Sequence, residues 1–382
     1  MLNFAQKGGL VQFIYRDNSG CSFVRLRWNS NFLSGVESGI TPVLLPNVVM
    51  DPSWLSVTRA IVMQRPVSDQ DIDLLKRLKA LQPKFQYKIL AEFDDLCWLS
   101  KGQGIPEYNM ASLTFKMEEV SKRVASALQF VDEVIVSTDY LKESLEREYG
   151  FTATRVIKNV IPRYLWSFDR KPDLTADLIK PRILYTGAPQ HYRNPIPPCP
   201  QYPNGVGALT GDWYQVWIDF ILKNVREDKI EFIVMGALPY FWEPIKDKIQ
   251  FIPWVDCNTF PRTVQAIHAD FQLAPLADNE FNKCKSDLRF LESCGIGAVF
   301  IGSYWDRSPY SSVHPLSRIE PGVTLAQFEE RFWNLTTKDT FNAVKNWQYN
   351  YLNTCNRYLE SDGHLNELLS AFDNSNILTK LI

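Results

Sequence analysis

The residues best suited to chemistry lie between Asp278 and Gly302. A polar turn there precedes a helix that we predict from about Ser286, and glycines end this helix before an apolar strand. A helix N-terminus presents unpaired N–H groups and partial positive charge, which suit a diphosphate, and Lys285 adds a full charge at that end. Glu292, two turns further on, can face the same crevice and accept ribose hydroxyl groups. The same pattern also fits a surface helix with ordinary caps and a solvated lysine.

An acidic pair, Asp94 and Asp95, follows the apolar run Lys88–Phe93. At the carboxyl end of a strand, these carboxylates would orient an acceptor hydroxyl, and we predict a catalytic role for them. The alternative is that they cap the next segment as turn residues. The pair lacks the middle residue of a metal-binding Asp-x-Asp. The seven cysteines show no C-x-x-C spacing and the histidines no ligand spacing, so we predict neither a metal nor a bound cofactor.

Glycine-containing turns end three more apolar runs. Gly20 opens a strand-to-helix junction, and we predict a functional role for Arg25 because it follows this turn. Gly187 and His191 follow a second run, where His191 is either a phosphate or acceptor contact or a turn histidine. Gly236 ends a third run and is predicted to line a nucleotide site. Open α/β sheets bind their ligands at such strand ends.

Strands must alternate with helices to place these turns. Between Asp69 and Leu81, for example, Leu74, Leu78 and Leu81 follow helical spacing. The predicted strands are Leu10–Tyr15, Ala60–Gln64, Lys88–Phe93, Glu133–Ser137, Arg155–Pro162, Arg182–Gly187, Glu231–Gly236, Gln250–Pro253, Phe271–Ala274 and Ala298–Ile301, and the predicted helices cover residues 69–81, about 112–130, 138–149 and about 213–224.

This alternation predicts the α/β class, with two doubly wound Rossmann-like domains joined near residues 163–180. We expect domains at residues 1–168 and 169–340, and C-terminal helices at 341–382 that pack back on the first domain. The segment 192–210 interrupts the alternation because its five prolines exclude a helix or a central strand. A loop of this length is either functional, as a lid or acceptor contact, or a passive insertion.

The motifs around Lys285 occur in an order that is similar to that of a known enzyme family. The runs Ala274–Asn279, Phe281–Asn282, Lys285–Ser286, Phe290–Glu292 and Gly295 resemble the donor motif of retaining GT-B glycosyltransferases of the glycogen-synthase-like family. They are most similar to a phage and bacterial branch in which the first glutamate of Glu-x7-Glu is replaced. Here Cys284 stands at that first position and Glu292 at the second. The resemblance implies that Glu292 binds the donor ribose, and that Lys285 and Ser286 lie near the diphosphate.

Further matches in the same order extend the resemblance over most of the chain. They are Asn18–Arg25, Gln64–Pro66, Glu92–Asp95, Val136–Thr138, Lys158–Pro162 and Tyr185–His191. In relatives an Asp-led helix follows the last turn directly, and Gly211–Trp213 is its expected counterpart here, after the proline-rich insertion. The resemblance implies a GT-B fold with two domains facing a cleft. It also implies that Arg25 approaches donor and acceptor, that Gly20, Gly187, His191 and Gly236 are donor-binding, and that the anomeric configuration is retained.

Composition argues against several classes of protein. The 382 residues are 45% hydrophobic and 22% charged, as in a globular domain, and the net charge of −2 gives no overall attraction to nucleic acid. Apolar runs such as Ala298–Ile301 are too short to span a membrane, and the N-terminus lacks the pattern of a signal peptide. We therefore expect a cytoplasmic protein, in the host cytoplasm if a phage encodes it.

The expected function is transfer of a hexose or pentose from a nucleotide-diphosphate sugar, without a metal ion. Two acceptors compete. One is a hydroxymethylated pyrimidine in phage DNA, with Arg25, Arg27, Arg65 and the proline-rich segment as contacts. The other is a bacterial surface glycan. A third hypothesis is a non-catalytic nucleotide-sugar-binding protein, which the cysteine at position 284 favours. The narrow preference at this point is for phage DNA modification, and the sequence sets no oligomeric state.

Overall fold

Two parallel six-stranded sheets form the framework of the protein in the computed structural model, which describes residues 9–17, 19–166, 172–355 and 357–373. The first sheet has the order β2-β1-β3-β4-β5-β6, where β1 is Gly9–Ile14, β2 Ile40–Leu45, β3 Thr58–Gln64, β4 Lys88–Phe93, β5 Glu133–Val136 and β6 Thr154–Val156. The second has the order β12-β11-β10-β7-β8-β9, where β7 is Arg182–Gly187, β8 Glu231–Gly236, β9 Gln250–Pro253, β10 Phe271–Ala274, β11 Val299–Ser303 and β12 Arg318–Ile319. The predicted α/β class with two doubly wound domains is confirmed.

Helices connect the parallel strands. In the first half of the chain they are α1 (Gly20–Ser22), α2 (Trp28–Gly35), α3 (Pro52–Leu55), α4 (Asp69–Phe85), α5 (Met117–Leu128) and α6 (Asp139–Tyr149). In the second half they are α7 (Gln215–Arg226), α8 (Phe260–Ala266), α9 (Glu280–Lys283), α10 (Leu288–Ile296), α11 (Leu325–Thr336), α12 (Lys338–Thr354) and α13 (Asp362–Ala371). Phe23–Arg27 joins α1 to α2 with π-helical geometry, and Met110–Leu113, Tyr240–Lys248 and Pro315–Ser317 are 3₁₀ turns.

Local sequence explains where several elements begin and end. Ser68 caps α4 through a reciprocal hydrogen-bond pair with Asp71. Thr138 caps α6 by accepting from the backbone of Leu141, and Gly150 ends that helix with φ of 63°, as predicted. These caps fix the points at which the loops leave the carboxyl ends of the strands.

Several predicted boundaries differ from the structure. Strand β2 was not predicted, because it is an edge strand whose Pro42 weakens its β pattern. The predicted strand from Arg155 to Pro162 ends at Val156. The helix predicted from about Ser286 begins at Leu288, with Asp287 at its N-cap.

The C-terminal residues divide between the two sheets. Helix α13 lies against the first sheet, where Leu368 and Phe372 pack with Phe13. Helix α12 lies against the second sheet instead, where Gln348 accepts a hydrogen bond from the backbone N–H of Phe300. Of the helices expected within 341–382, α13 therefore packs with the first sheet and α12 with the second. The predicted boundary between residues 168 and 169 lies outside the described residues.

The proline-rich segment 192–210 forms neither a helix nor a sheet strand, as predicted. Two isolated antiparallel bridges, Arg193 with Leu209 and Ile196 with Val206, close it into a loop. Throughout the described part of the chain, every helix is too short or too polar to cross a membrane.

Candidate active site

The carboxyl ends of the two sheets face each other, and loops from both make direct contacts there. Asn159 Nδ2 donates to Ser286 Oγ at 2.7 Å, and Thr138 Oγ1 donates to the carbonyl oxygen of Cys284 at 3.0 Å. Lys285 Nζ lies 3.9 Å from Asp95 Oδ1. The structure therefore brings the predicted acidic pair and the predicted donor motif to one cleft.

A cluster of basic side chains lies at the end of β7. Arg289 on α10 donates through Nη1 to Thr186 Oγ1, one residue before Gly187. Burial lowers the pKa of His191, and the positive charges of Lys285 and Arg289 lower it further, against the opposing effect of Asp212. Lys285 and Arg289 therefore both lie close enough to His191 to influence its charge. Arg289 was not predicted, because Lys285 precedes α10 and the two residues share no helical face.

Glu292 is buried one turn after Arg289. Burial raises the pKa of its carboxyl group, and the charge of Arg289 partly opposes that effect. Arg289 Nη1 lies 3.1 Å from Glu292 Oε2, yet that oxygen accepts no well-aligned hydrogen bond from the described residues. A buried carboxylate oxygen with unused acceptor capacity suits a hydroxyl donor from a ligand.

Glycines end the neighbouring strands β7 and β8, and the surroundings of Gly236 explain why a larger residue would not fit there. Its φ of 113° is unfavourable for other residues, and a Cβ atom there would collide with the carbonyl oxygen of Gly187 and the ring of Trp254. Gly187 and Gly236 are register partners at the strand ends. Trp254 follows β9 and is 47% exposed beside them. Both glycines were predicted to line the donor site and this tryptophan was not.

Across the cleft, Arg65 forms ion pairs with both Asp94 and Asp95. Arg65 Nε donates to Asp94 Oδ1 at 2.7 Å, and its Nη2 lies 3.5 Å from Asp95 Oδ2. Burial raises the pKa of Asp94, but Arg65 outweighs it and holds the pKa below its ordinary value. Asp94 is therefore an anion that lies below the surface, whereas the more exposed Asp95 faces Lys285.

Cys21, Asp94 and Asp95 form the one group of potential metal ligands found among the described residues. The guanidinium of Arg65 lies against both carboxylates and places a positive charge where a cation would bind. The cluster is therefore a poor match for a cation site, and metal independence stays a prediction.

Arg25 occupies a different place from the one predicted. It is buried, with Nε 2.6 Å from Glu92 Oε1 and Nη1 donating to the carbonyl oxygen of Ile157 and to Asn159 Oδ1. These partners argue against a direct catalytic contact. Arg25 instead orients Asn159, which reaches Ser286. Gly20 is exposed at the start of α1, and a Cβ atom there would meet nothing within 4 Å.

The structure also places the expected counterpart of the Asp-led helix. Asp212 Oδ2 lies 2.8 Å from His191 Nδ1, although the segment 192–210 separates the two residues in sequence. Both ends of the insertion therefore lie at the site, and His191 and Asp212 remain in contact.

Solved structures with the same architecture support the fold assignment. A glycosyltransferase from Rickettsia africae ESF-5 matches with a TM-score of 0.55 and 12% identity, over 98% of this chain and 99% of that chain. Anabaena HepE in complex with UDP-glucose gives 0.56 and 9%, over 97% and 99%. WaaG, a glycosyltransferase involved in lipopolysaccharide biosynthesis, gives 0.52 and 10%, over 95% and 99%. Neither a protein-family model nor a curated protein sequence matches. These likenesses confirm the predicted two-domain GT-B fold.

Proposed function

We propose that the protein is a glycosyltransferase that moves a sugar from a nucleoside-diphosphate sugar to an acceptor hydroxyl. The observation that carries this proposal is the grouping of His191, Lys285 and Arg289 around the carboxyl end of β7, next to the buried carboxylate of Glu292. Cations beside an unsatisfied buried acceptor match a ligand with both phosphates and ribose hydroxyls.

The nucleotide fits this site in one direction. The diphosphate lies between Lys285 and Arg289, and the ribose donates its hydroxyls to Glu292. The base then extends past Gly236 towards the exposed ring of Trp254, where stacking on an aromatic face is favourable. The resemblance to the fold of Anabaena HepE supports a nucleotide ligand, since the solved structures of that protein are complexes with UDP and with UDP-glucose.

The reaction needs negative charge on the departing diphosphate to be stabilised. Lys285 and Arg289 supply fixed positive charge where it develops, which is the main electrostatic term in such transfers. This arrangement performs the task of a metal ion, so we propose metal-independent transfer. Retention at the anomeric carbon, and a hexose or pentose as the sugar, are proposed from the resemblance described above.

The acceptor approaches from the N-terminal side. Asp95 is the better placed member of the acidic pair, because its side chain is 28% exposed and that of Asp94 only 7%. We assign Asp95 to the acceptor hydroxyl and Asp94 to holding Arg65.

A glycan is the acceptor that we favour. Two of the three arginines expected to bind DNA are paired with carboxylates, Arg25 with Glu92 and Arg65 with Asp94. Arg25 is buried and the Arg65 side chain is only 23% exposed, so neither contributes to the open basic surface that a duplex backbone needs. The similarity to WaaG, whose description names lipopolysaccharide biosynthesis, points in the same direction.

A non-catalytic nucleotide-sugar-binding protein is the second candidate. Cys284, at the position of the family's first glutamate, is fully buried and packs with the N-terminal core. This position therefore makes no polar contact with a sugar.

Incubation with UDP-, GDP- and ADP-sugars, with mass spectrometry of the products, tests these assignments. Lipid-linked glycans and hydroxymethylcytosine DNA serve as acceptor arms, and a water-only arm measures hydrolysis. Nucleotide binding without transfer or hydrolysis in every arm would favour the non-catalytic candidate. Sugar on the DNA alone would overturn the glycan acceptor.

A further inference from the structure

Asp212 is a buried carboxylate at which groups from both domains meet. Its side chain is 1% exposed. One oxygen, Oδ2, faces His191 Nδ1 at 2.8 Å. The other, Oδ1, accepts from the hydroxyl of Tyr108 at 2.5 Å, from Asn282 Nδ2 at 2.6 Å and from the backbone N–H of Ala277 at 3.0 Å. Tyr108 is the member of this set that comes from the N-terminal domain.

This arrangement determines which nitrogen of His191 faces the cleft. A carboxylate beside Nδ1 keeps the ring hydrogen on that atom, which leaves Nε2 on the opposite side of the ring. Asp212 also donates its backbone N–H to the carbonyl oxygen of His191. The backbone contact fixes the spacing of the two residues and the Nδ1 contact orients the ring, with Nε2 directed away from Asp212.

Tyr108 links this pair to the contact between the domains. Its hydroxyl also accepts from Asn279 and Asn282, both at 3.1 Å, so it is bound on the donor side by several groups. Burial and the neighbouring Asp212 raise the pKa of Tyr108, which therefore remains a hydrogen-bond donor at neutral pH. Separation of the domains would remove one of the donors that hold Asp212.

We propose that Asp212 is a positioning residue for the donor site, and that Tyr108 acts through it to orient His191 when the two domains are in contact. A bound diphosphate favours the protonated ring, in which Asp212 accepts from Nδ1–H, and His191 then donates Nε2–H to a phosphate oxygen beside Lys285 and Arg289. This inference rests on the proposed function, because it assumes a diphosphate ligand. It adds a route by which the N-terminal domain affects donor binding without touching the donor.

A double-mutant cycle tests the link. Tyr108→Phe, His191→Gln and the double variant are compared with the wild type by calorimetric titration with UDP. Tyr108→Phe should weaken UDP binding by about fivefold in the wild-type background and have no further effect when His191 is glutamine. Equal effects of Tyr108→Phe in both backgrounds would overturn the proposal.

Tyr140→Phe is the matched control. Its hydroxyl also donates to a carboxylate of the other domain, Glu280 Oε2 at 2.7 Å, but does not contact Asp212. Any effect of Tyr140→Phe on UDP affinity should be the same in both His191 backgrounds. A His191-dependent effect would show that domain contact in general, and not Asp212, carries the coupling.

Nitrogen-15 NMR of the four histidines gives a readout that needs no ligand. His191 should appear as the Nδ1–H tautomer in the wild type and lose that preference in Asp212→Asn. An unchanged tautomer would refute the positioning role. If the wild type binds no nucleoside diphosphate, the proposed function fails, and the tautomer still decides the role of Asp212.

Discussion

Replacing Glu292 by glutamine separates a role in ribose binding from a role in the fold. Glutamine has nearly the same shape and keeps a carbonyl oxygen that can face Arg289, but it lacks the charge that a ribose hydroxyl would meet. The loss of a charged hydrogen bond is about 1.5–3 kcal/mol. Since about 1.4 kcal/mol is tenfold in affinity, Glu292→Gln should weaken nucleoside-diphosphate binding by roughly tenfold or more.

The same substitution should not lower stability. Burial raises the pKa of Glu292, so the folded protein binds this proton more tightly than the unfolded chain does. The sign follows from linkage: stability from this group is present below the unfolded pKa and decreases as pH rises through the raised folded pKa. A neutral glutamine avoids that decrease, and the variant should melt no lower than the wild type at pH 7. UDP affinity of the wild type should in turn fall as pH drops through the raised pKa.

Calorimetric titration and thermal melting together check both expectations. Glu329→Gln is the control, because Glu329 pairs with Lys223 on the second domain, between α7 and α11 and outside the grouping around β7. Wild-type UDP affinity in Glu292→Gln would refute the ribose assignment. A marked loss of melting temperature would show that the carboxylate is structural.

Three further predictions concern the same site. Lys285→Ala should weaken UDP binding by roughly tenfold with the fold intact, because it removes a charge from the phosphates; unchanged calorimetric affinity would contradict this. Turnover should persist in excess chelator, and a complete loss that magnesium restores would show that a metal carries the leaving-group chemistry. Replacing Pro195 to Asn204 by a short Gly-Ser link keeps the anchoring residue Arg193, which donates to the carbonyl oxygens of Gly207 and Glu107. Melting temperature and donor affinity should then stay nearly unchanged, while sugar transfer to the acceptor falls and hydrolysis of the donor persists. Unfolding of the variant would show that the segment is structural. Unchanged sugar transfer would show that it is a passive insertion.

The central strands could be predicted because burial on both faces leaves a pattern that is visible in their own sequence. Lys88–Phe93, Arg182–Gly187 and Glu231–Gly236 match the predicted bounds. Strands buried on both faces are continuous apolar runs, and glycine or acidic residues mark their ends. The polar residues at those ends therefore gave much of the candidate site.

Side-chain partners far apart in sequence could not be predicted. Arg25 follows a glycine turn, which made it a candidate contact, but Glu92 and Asn159 bury it from positions 67 and 134 residues away. Edge strand β2 was missed for a related reason, since its pairing with β1 compensates for a weak local pattern. Local patterns determine which residues reach the strand ends, and tertiary partners determine which of them face the cleft.

The departure from the family pattern at position 284 has a physical explanation. Phe281 in α9 and Cys284 at its C-terminal end pack into the core of the N-terminal domain, and Cys284 is fully buried. A glutamate there would have to be buried without a partner, at a cost of several kcal/mol. The cysteine is therefore what this domain packing requires, and it need not mark a decayed enzyme. If the protein transfers sugars, other polar groups in the cleft must hold the sugar in place of that glutamate. Asp95 and Lys285, 3.9 Å apart, are the pair we expect to do so, because Lys285 adjoins Cys284 in the chain and Asp95 faces it across the cleft.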